Sequence, residues 1–137
     1  MPIKKKRLKR FKKIKKPRVI NKDTIGTSKL ELYFHAFLVS IGIEVETQHQ
    51  VGWKFYDFKV KGKNILIELD GDYWHGNPAT LTKPLSAMQR RAVVNDKKKD
   101  FLAKEHGYKL IRIWESDFNK NRPMVKLKLL EQINTNI

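Results

Sequence analysis

The spacing of apolar residues changes period along the chain, and the first period is helical. Ser28 with Glu31 three residues later forms a capping-box pattern, and Gly42 follows as a stop signal. Between them, one face of a helix carries the apolar residues Leu30, Phe34, Phe37, Leu38 and Ile41. The pattern predicts a first helix from about residue 28 to residue 41.

A period of two replaces the helical period after Gly42. Residues 43–51 and 53–60 alternate apolar and polar positions, with Gly52 between them, and residues 65–70 are rich in Ile and Leu. Gly62 lies at the turn between the second and third segments. We therefore expect three consecutive strands.

The second half of the chain predicts a helix, a strand and a final helix. Ser86, with Gln89 three residues later, caps a long helix that runs to about residue 106 and stops at Gly107. Residues 108–114 form a fourth strand, and Pro123 opens the last helix. The predicted fold class is α/β (α+β), with core order αβββαβ, a C-terminal helix and one folded domain over residues 28–137.

The predicted hairpin of the second and third strands has a chemically unusual side. If Gly62 and Lys63 form a two-residue turn, Asp57 lies directly opposite Glu68, and the other side is apolar with Tyr56, Phe58 and Val60. Opposed like charges are destabilising unless they are bridged, and a divalent cation such as Mg²⁺ bridges carboxylates. The alternatives are a solvated face balanced by Lys59 and Lys61, or a three-residue turn that shifts the register.

The charge of the chain is concentrated at its beginning. The 137 residues carry 30 Lys+Arg and 14 Asp+Glu, a net charge of +16, and residues 1–18 contain eleven of the bases and no acid. We expect residues 1–27 to form a basic arm and linker that binds nucleic acid; a solubility tail or a contact with an anionic membrane surface are the alternatives. The predicted nucleic-acid contacts in the arm, which would be DNA-binding residues if the partner is DNA, are Lys4, Lys5, Lys6, Arg7, Lys9, Arg10, Lys12 and Lys13.

Two absences narrow the class of protein. The chain has no cysteine, which excludes a disulfide framework, a Cys-based zinc site and thiol chemistry. No apolar run approaches the roughly 20 residues that span a bilayer. We expect an intracellular protein of the cytoplasm, with no membrane partner.

One combination of motifs resembles a known group of nucleases. The chain is similar to the very-short-patch-repair endonucleases in a combination of four parts: Asp57, the run IELDGDYWHG from Ile67 to Gly76, Asp96, and the run GYKLIRIWE over residues 107–115. They also resemble the phage homing endonucleases with an EDxHD signature, in the PD-(D/E)XK nuclease superfamily. The resemblance covers about residues 28–118 and implies a single restriction-endonuclease-like domain.

The resemblance implies roles for particular residues. The signature corresponds to Glu31, Asp57, the variable position Glu68, His75 and Asp96. It implies that Asp57, Glu68 and the backbone carbonyl of Leu69 bind Mg²⁺, with Mn²⁺ as a substitute. His75 would be the general base, oriented or polarised by Glu31 and Asp96. Each has a plainer interpretation: Glu31 as the acid of the helix cap, His75 as a loop histidine, Asp96 as part of a solvated helix face.

The resemblance also implies contacts with duplex DNA. Tyr73 and Trp74 correspond to the aromatic pair that wedges into the base stack in the repair enzymes, although aromatic residues more often belong to a core. Arg90, Arg91 and Gln89 are our candidates for reading bases. The protein would act as a monomer or a homodimer.

The chain departs from these families at two points. It lacks the zinc site of the repair enzymes, so we expect no zinc, and this weakens the inference of mismatch recognition. Asp70 stands where the superfamily signature has a lysine, so that role is vacant or moved to Lys59, and Asp70 is an additional metal ligand or a partner of His75. We expect a Mg²⁺-dependent DNA endonuclease of the phage homing type, which would act in the cytoplasm of the host if it is phage-encoded. The alternatives are a mismatch-directed nicking repair endonuclease and a non-catalytic nucleic-acid-binding module.

Overall fold

The structure, a computed structural model, describes residues 29–134. It contains, in chain order, α1 (Lys29–Ser40), β1 (Val45–Val51), β2 (Lys54–Val60), β3 (Ile65–Asp70), α2 (Ala87–Glu105), β4 (Lys109–Trp114), α3 (Glu115–Lys120) and α4 (Arg122–Asn134). Within these residues the predicted order is confirmed, and the short helix α3 is an addition to it. Ser28, the predicted cap of α1, lies outside the described residues.

The four strands form one mixed sheet in the order β1-β2-β3-β4. β1, β2 and β3 are antiparallel neighbours, whereas β3 and β4 are parallel. A parallel pair needs a crossover connection, and α2 supplies it. The predicted capping box of α2 is present: Gln89 N–H donates to Ser86 Oγ, and the Gln89 side chain accepts from Ser86 N–H.

Helices cover both faces of the sheet, and they pack on two separate cores. The larger core lies under α1, α3 and α4 and includes Phe34, Phe58, Ile67, Phe118 and Leu129. The smaller core lies under α2, where Val51, Tyr56 and Leu66 pack on Leu102 and Ala103. None of the helices between residues 29 and 134 is both long and apolar enough to cross a membrane.

The predicted register of the β2–β3 hairpin is confirmed, because Phe58 pairs with Ile67 and Lys59 with Leu66. The prediction that Tyr56 shares an apolar side with Phe58 is wrong. Phe58 belongs to the larger core and Tyr56 to the smaller one, on opposite faces of the sheet. The side chains of β2 therefore change face at Asp57.

An irregular backbone step in β1 accompanies this change of face. Gln48 lies between the pairs Thr47–Phe58 and His49–Tyr56, and therefore opposite Asp57. Its backbone φ is 50°, a left-handed conformation that residues other than glycine rarely adopt. Irregular steps of this kind re-aim side chains near functional sites. Here the step lies beside Asp57.

Candidate active site

The central strand β3 places two acids inside the protein. Glu68 and Asp70 are each 3% exposed, although every other residue of the strand is apolar. Because strand side chains alternate, both acids share the face of Leu66, which packs under α2. A buried carboxylate is costly unless it is hydrogen-bonded or paired with a cation. The partners of these two acids define the site.

Asp57 and Glu68 are each fixed by the backbone of the opposite strand. Leu69 N–H donates to Asp57 Oδ2 at 2.9 Å, and Asp57 N–H donates to Glu68 Oε2 at 3.2 Å. The carboxylates thus replace part of the backbone ladder at this position. Burial raises the pKa of Asp57, while the hydrogen bond from Leu69 and the nearby cations act in the opposite direction. The site holds two oriented carboxylates on adjacent strands.

The lysine that approaches these carboxylates comes from α2. Lys99 Nζ forms an ion pair with Glu68 Oε1. Burial lowers the pKa of Lys99 to about 8. Lys59 instead donates to the carbonyl of Val60 at 3.1 Å. The structure therefore offers Lys99, rather than the sequence candidate Lys59, as the lysine beside Glu68.

His75 and Asp96 form a hydrogen-bonded pair between the loop after β3 and α2. His75 Nδ1 lies 2.7 Å from Asp96 Oδ2. Since a carboxylate accepts, Nδ1 carries the proton in this bond, which leaves Nε2 as the basic nitrogen of the neutral ring. The pKa of His75 is raised, chiefly by this hydrogen bond. The plainer interpretation of Asp96 as a solvated residue is wrong, because its side chain is 16% exposed and bonded to His75.

Arg112, on β4, holds the two acids that surround His75. Its guanidinium donates to Asp70 Oδ2 at 2.9 Å and lies 3.7 Å from Asp96 Oδ1. It also donates to Asp100 Oδ1 at 2.9 Å and to the backbone carbonyl of Asp96 at 3.1 Å. Asp70 Oδ1 is in turn 3.9 Å from His75 Nδ1. Asp70 is thus a partner of Arg112 first and a neighbour of His75 second, and its burial raises its pKa.

Glu31 reaches the same region from the first turn of α1. Its pKa is raised to about 7 by burial first and by the charge of Asp57 second, while Lys99 acts in the opposite direction. These influences place the carboxyl within electrostatic reach of the Asp57–Glu68 pair. A carboxyl with a pKa near neutrality can exchange protons at physiological pH. The structure thus brings together Glu31, Asp57, Glu68, His75 and Asp96.

Two groups of residues could hold a divalent metal. Asp57 and Glu68, with the backbone carbonyl of Leu69, offer oxygen atoms of the kind that Mg²⁺ prefers. Asp70, His75 and Asp96 form a second group, whose ligand atoms lie within 4.8 Å of one another. A cation already pairs with each group: the guanidinium of Arg112 with Asp70 and Asp96, and the ammonium of Lys99 with Glu68. The first group fits a hard cation better, because its donors are all oxygen and are oriented by backbone hydrogen bonds.

Two aromatic residues stand at the surface next to this site. Tyr73 is 59% and Trp74 57% exposed, and their rings meet edge to face with centroids 5.2 Å apart. The interpretation of these residues as core is therefore wrong. Asp72 anchors the loop by accepting from Ser116 N–H and Oγ, both at 3.1 Å. A firmly attached loop thus presents two exposed rings.

The predicted base-reading residues divide into two kinds. Gln89 is 4% exposed, and its side chain donates to the carbonyl of Tyr73 at 2.7 Å while completing the helix cap. Our expectation that it reads bases is wrong, because its polar groups are used inside the protein. Arg90 and Arg91 are exposed on α2. The predicted arm contacts Lys4, Lys5, Lys6, Arg7, Lys9, Arg10, Lys12 and Lys13 lie outside the described residues.

The sequence analysis did not identify Lys99 and Arg112 as site residues, although a sequence feature points to each of them. Lys99 follows Asp96 by three residues, so the two share one face of α2, but it ends a run of three lysines that resembles a solvated surface. Arg112 is the one charged residue between Leu110 and Trp114, and it lies in register with Glu68. A cation in a buried strand beside acids on the neighbouring strand indicates an ion pair.

Comparison with solved structures identifies a protein with the same fold. The structure is similar to the catalytic domain of the homing endonuclease I-Bth0305I, with a TM-score of 0.60 and 24% sequence identity. The similarity covers 81% of this chain and 99% of that one. No protein-family model and no curated protein sequence matches the chain. The chain thus has the α+β fold of a homing endonuclease catalytic domain, as the sequence predicted.

Proposed function

We propose that the protein is a Mg²⁺-dependent DNA endonuclease of the PD-(D/E)XK type that hydrolyses phosphodiester bonds, as a homing endonuclease does. One observation carries this proposal. This chain has the fold of a homing endonuclease catalytic domain, and it carries two oriented carboxylates beside a His–Asp pair on one face of its sheet. Burial raises the pKa of Asp57, and the charge of His75 is among the influences that oppose this rise, so the two parts are close enough to act on one substrate.

Asp57, Glu68 and the carbonyl of Leu69 would hold the metal in this proposal. When bound, Mg²⁺ would supply positive charge that stabilises the developing negative charge on the phosphate and the leaving oxygen. The protein's own contribution is to keep the two carboxylates oriented, through the hydrogen bonds that join β2 and β3. A bound metal would also explain why acids are concentrated in a protein that, under this proposal, approaches phosphates.

His75 would be the general base. The bond to Asp96 fixes the ring and keeps the proton on Nδ1, so Nε2 can accept a proton from the attacking water. Arg112 donates to the backbone carbonyl of Asp96 and contacts Asp70. These contacts would orient the His75–Asp96 pair from the opposite side. Glu31, with its pKa near 7, would relay protons or polarise the water from α1.

The remaining predicted residues would bind duplex DNA. The exposed Tyr73–Trp74 pair suits insertion between base pairs, which costs a few kcal/mol of unstacking and is offset by the contacts that a bent duplex allows. Arg90 and Arg91 would contact the groove or backbone beside it, and residues 1–27 would follow phosphates as a basic arm. One site cuts one strand, so a double-strand break would need a homodimer or two successive nicks by a monomer.

A plasmid assay tests the proposal. Supercoiled plasmid with Mg²⁺ should be nicked or linearised by the wild type and protected by EDTA. Asp57→Asn keeps the shape and the acceptor for Leu69 N–H but loses the negative charge, and it should cut at least about 1,000-fold more slowly. Glu105→Gln, an exposed carboxylate on α2, is the matched control and should cut normally.

The alternatives give different results in the same assay. Clean protein that binds DNA but cuts none of the matched, mismatched or branched substrates would show a non-catalytic binding module. Strong preference for a mispaired duplex over the matched one would indicate mismatch-directed nicking. Equal cutting by wild type and Asp57→Asn would contradict the assigned site.

A further inference from the structure

Lys99 has a position that neither the fold nor the general-base pair explains. It lies on α2, three residues after Asp96, and its ammonium forms an ion pair with Glu68. Its side chain is 14% exposed, whereas the neighbouring Lys97 and Lys98 are exposed. Lysine side chains usually extend to water, so an inward-facing one needs a specific reason.

The buried Tyr56 holds Lys99 in place. Lys99 Nζ lies over the ring of Tyr56, 4.7 Å from its centroid, and Tyr56 Oη donates to the backbone carbonyl of Lys99 at 2.6 Å. Tyr56 itself is fully buried. Both the backbone and the side chain of Lys99 are therefore fixed by one rigid aromatic residue. The ammonium is directed at the carboxylates by this contact.

The charge of Lys99 acts on three carboxyl groups of the candidate active site. It pairs directly with Glu68, and it favours the ionised forms of Glu31 and Asp57. A single fixed cation thus serves the carboxylates that the proposed function assigns to a metal and its water. Because Glu68 Oε1 contacts the ammonium, that oxygen cannot bind a metal unless Lys99 moves or shares it.

We propose that Lys99 is a positioning residue that acts as an internal counter-cation of the Asp57–Glu68 site, and that a divalent metal binds there against the charge of its ammonium. The inference rests on the proposed function for the identity of the metal site. Before metal binds, Lys99 offsets the repulsion between the carboxylates and keeps them oriented. When metal binds, repulsion between the two cations weakens the binding. The chain thereby gives up metal affinity for a site that is formed in advance.

Calorimetric titration of the full chain with Mn²⁺ alone, without DNA, tests this inference. Lys99→Met and Lys99→Gln remove the charge, and the glutamine retains a hydrogen-bond donor for Glu68. Both should bind Mn²⁺ about tenfold more tightly than the wild type, because the repelling charge is gone. Lys99→Arg keeps the charge and should bind Mn²⁺ like the wild type. Lys98→Met, the exposed neighbour, is the matched control and should also leave the affinity unchanged.

Thermal unfolding supplies a second readout. In EDTA, Lys99→Met should melt below the wild type, since its carboxylates lack a counter-cation, and saturating Mn²⁺ should raise its Tm by more than it raises that of the wild type. A lysine with only a structural role would lower the Tm in EDTA without tightening Mn²⁺ binding. Unchanged or weaker Mn²⁺ affinity in both Lys99→Met and Lys99→Gln therefore overturns the inference.

The failure of this inference is distinguishable from failure of the proposed function. Tighter Mn²⁺ binding by the charge-removing variants, with no DNA cleavage by the wild type, would support the role of Lys99 and reject the endonuclease. Metal-dependent cleavage by the wild type, with no change of Mn²⁺ affinity in the variants, would support the endonuclease and reject the role of Lys99.

Discussion

The two faces of β3 differ in what they bury, although the strand is buried along its whole length. Ile65, Ile67 and Leu69 point into the larger core under α1, α3 and α4, which is entirely apolar. The face under α2 has only Leu66 in the smaller core, and Glu68 and Asp70 continue that face with charges. Along β3, residues of the apolar core thus alternate with residues on the face that carries the buried acids.

The difference separates the face that supplies hydrophobic stability from the face that carries the proposed active site. On the apolar face each buried side chain adds hydrophobic free energy. On the α2 face, burial raises the pKa of Asp57 and Asp70, and the charges are tolerated because Lys99 and Arg112 pair with the acids. A buried ion pair is weak evidence for stability, whereas the proposed function gives these pairs a role. The two faces should therefore respond to substitution in opposite ways.

The largest expected effect separates the two faces directly. Ile67→Ala empties part of the larger core and should lower the free energy of unfolding by about 3 kcal/mol, while the folded fraction still cuts DNA. Glu68→Gln, at the adjacent residue, keeps a side-chain oxygen for Asp57 N–H and should abolish most of the cleavage even in the folded protein. Urea unfolding and plasmid cleavage of the same preparations measure both. If folded Ile67→Ala protein were as inactive as Glu68→Gln, the two faces would not be separable.

A smaller effect, on rate and pH, sharpens the chemistry of the α2 face. The bond to Asp96 is the largest cause that raises the pKa of His75, and a general base must be neutral, so wild-type cleavage should increase as pH rises through this raised pKa. Asp96→Asn should slow cleavage by about 100-fold, and the limb of the pH–rate profile where the rate rises with pH should move to lower pH. Asp100→Asn is the control: it loses a bond to Arg112 rather than to His75, so its pH profile should stay where that of the wild type is. An unmoved limb in Asp96→Asn would contradict the role of the pair.

Glu31 provides a test in stability rather than rate. Its pKa is raised from 4.5 to about 7 on folding, so the folded state favours the protonated form. The associated stability is fully present below pH 4.5 and is lost as pH rises through about 7. Glu31→Gln should therefore be more stable than the wild type above pH 7, by about 1 kcal/mol once solvent screening is allowed for, and should lose this advantage below pH 4.5. Urea unfolding of both proteins at several pH values measures this. A difference in the free energy of unfolding that is the same at every pH would argue against this environment for Glu31.

The smallest expected effect concerns the step where the side chains change face. Gln48 is left-handed, which costs an L-residue about 1–2 kcal/mol, and glycine removes this cost at the expense of backbone entropy. Gln48→Gly should thus stabilise by about 0.5 kcal/mol, whereas Gln48→Val should destabilise by about 1 kcal/mol or more. Urea unfolding measures both. Destabilisation by both substitutions would mean that the step is not strained.

The sequence predicts the fold well, because the fold depends on local patterns. The apolar periods locate each strand and the long helices, and Gly62 with its flanking pattern sets the β2–β3 register. The error at Tyr56 has a clear cause, since strict alternation cannot anticipate the left-handed step at Gln48. The helix α3 was missed because six residues are too few to establish a period.

The site is harder to predict than the fold, because its partners are distant in the chain. The acids and His75 are recognisable as a set through the resemblance to nucleases. Lys99 and Arg112 reach them across 31 and 42 residues, from elements whose own patterns indicate a solvated helix and an ordinary strand. Charge in the sequence shows that cations are abundant; only the packing of α2 and β4 on the sheet selects these two.

The location of a bound metal tests the central claim most directly. Crystals grown with Mn²⁺ should give an anomalous difference peak about 2.0–2.3 Å from carboxylate oxygens of both Asp57 and Glu68, with the carbonyl of Leu69 as a further ligand. That result would make the α2 face of the sheet a metal-dependent catalytic centre. A peak between Asp70, His75 and Asp96 instead, with none at Asp57 and Glu68, would contradict the account.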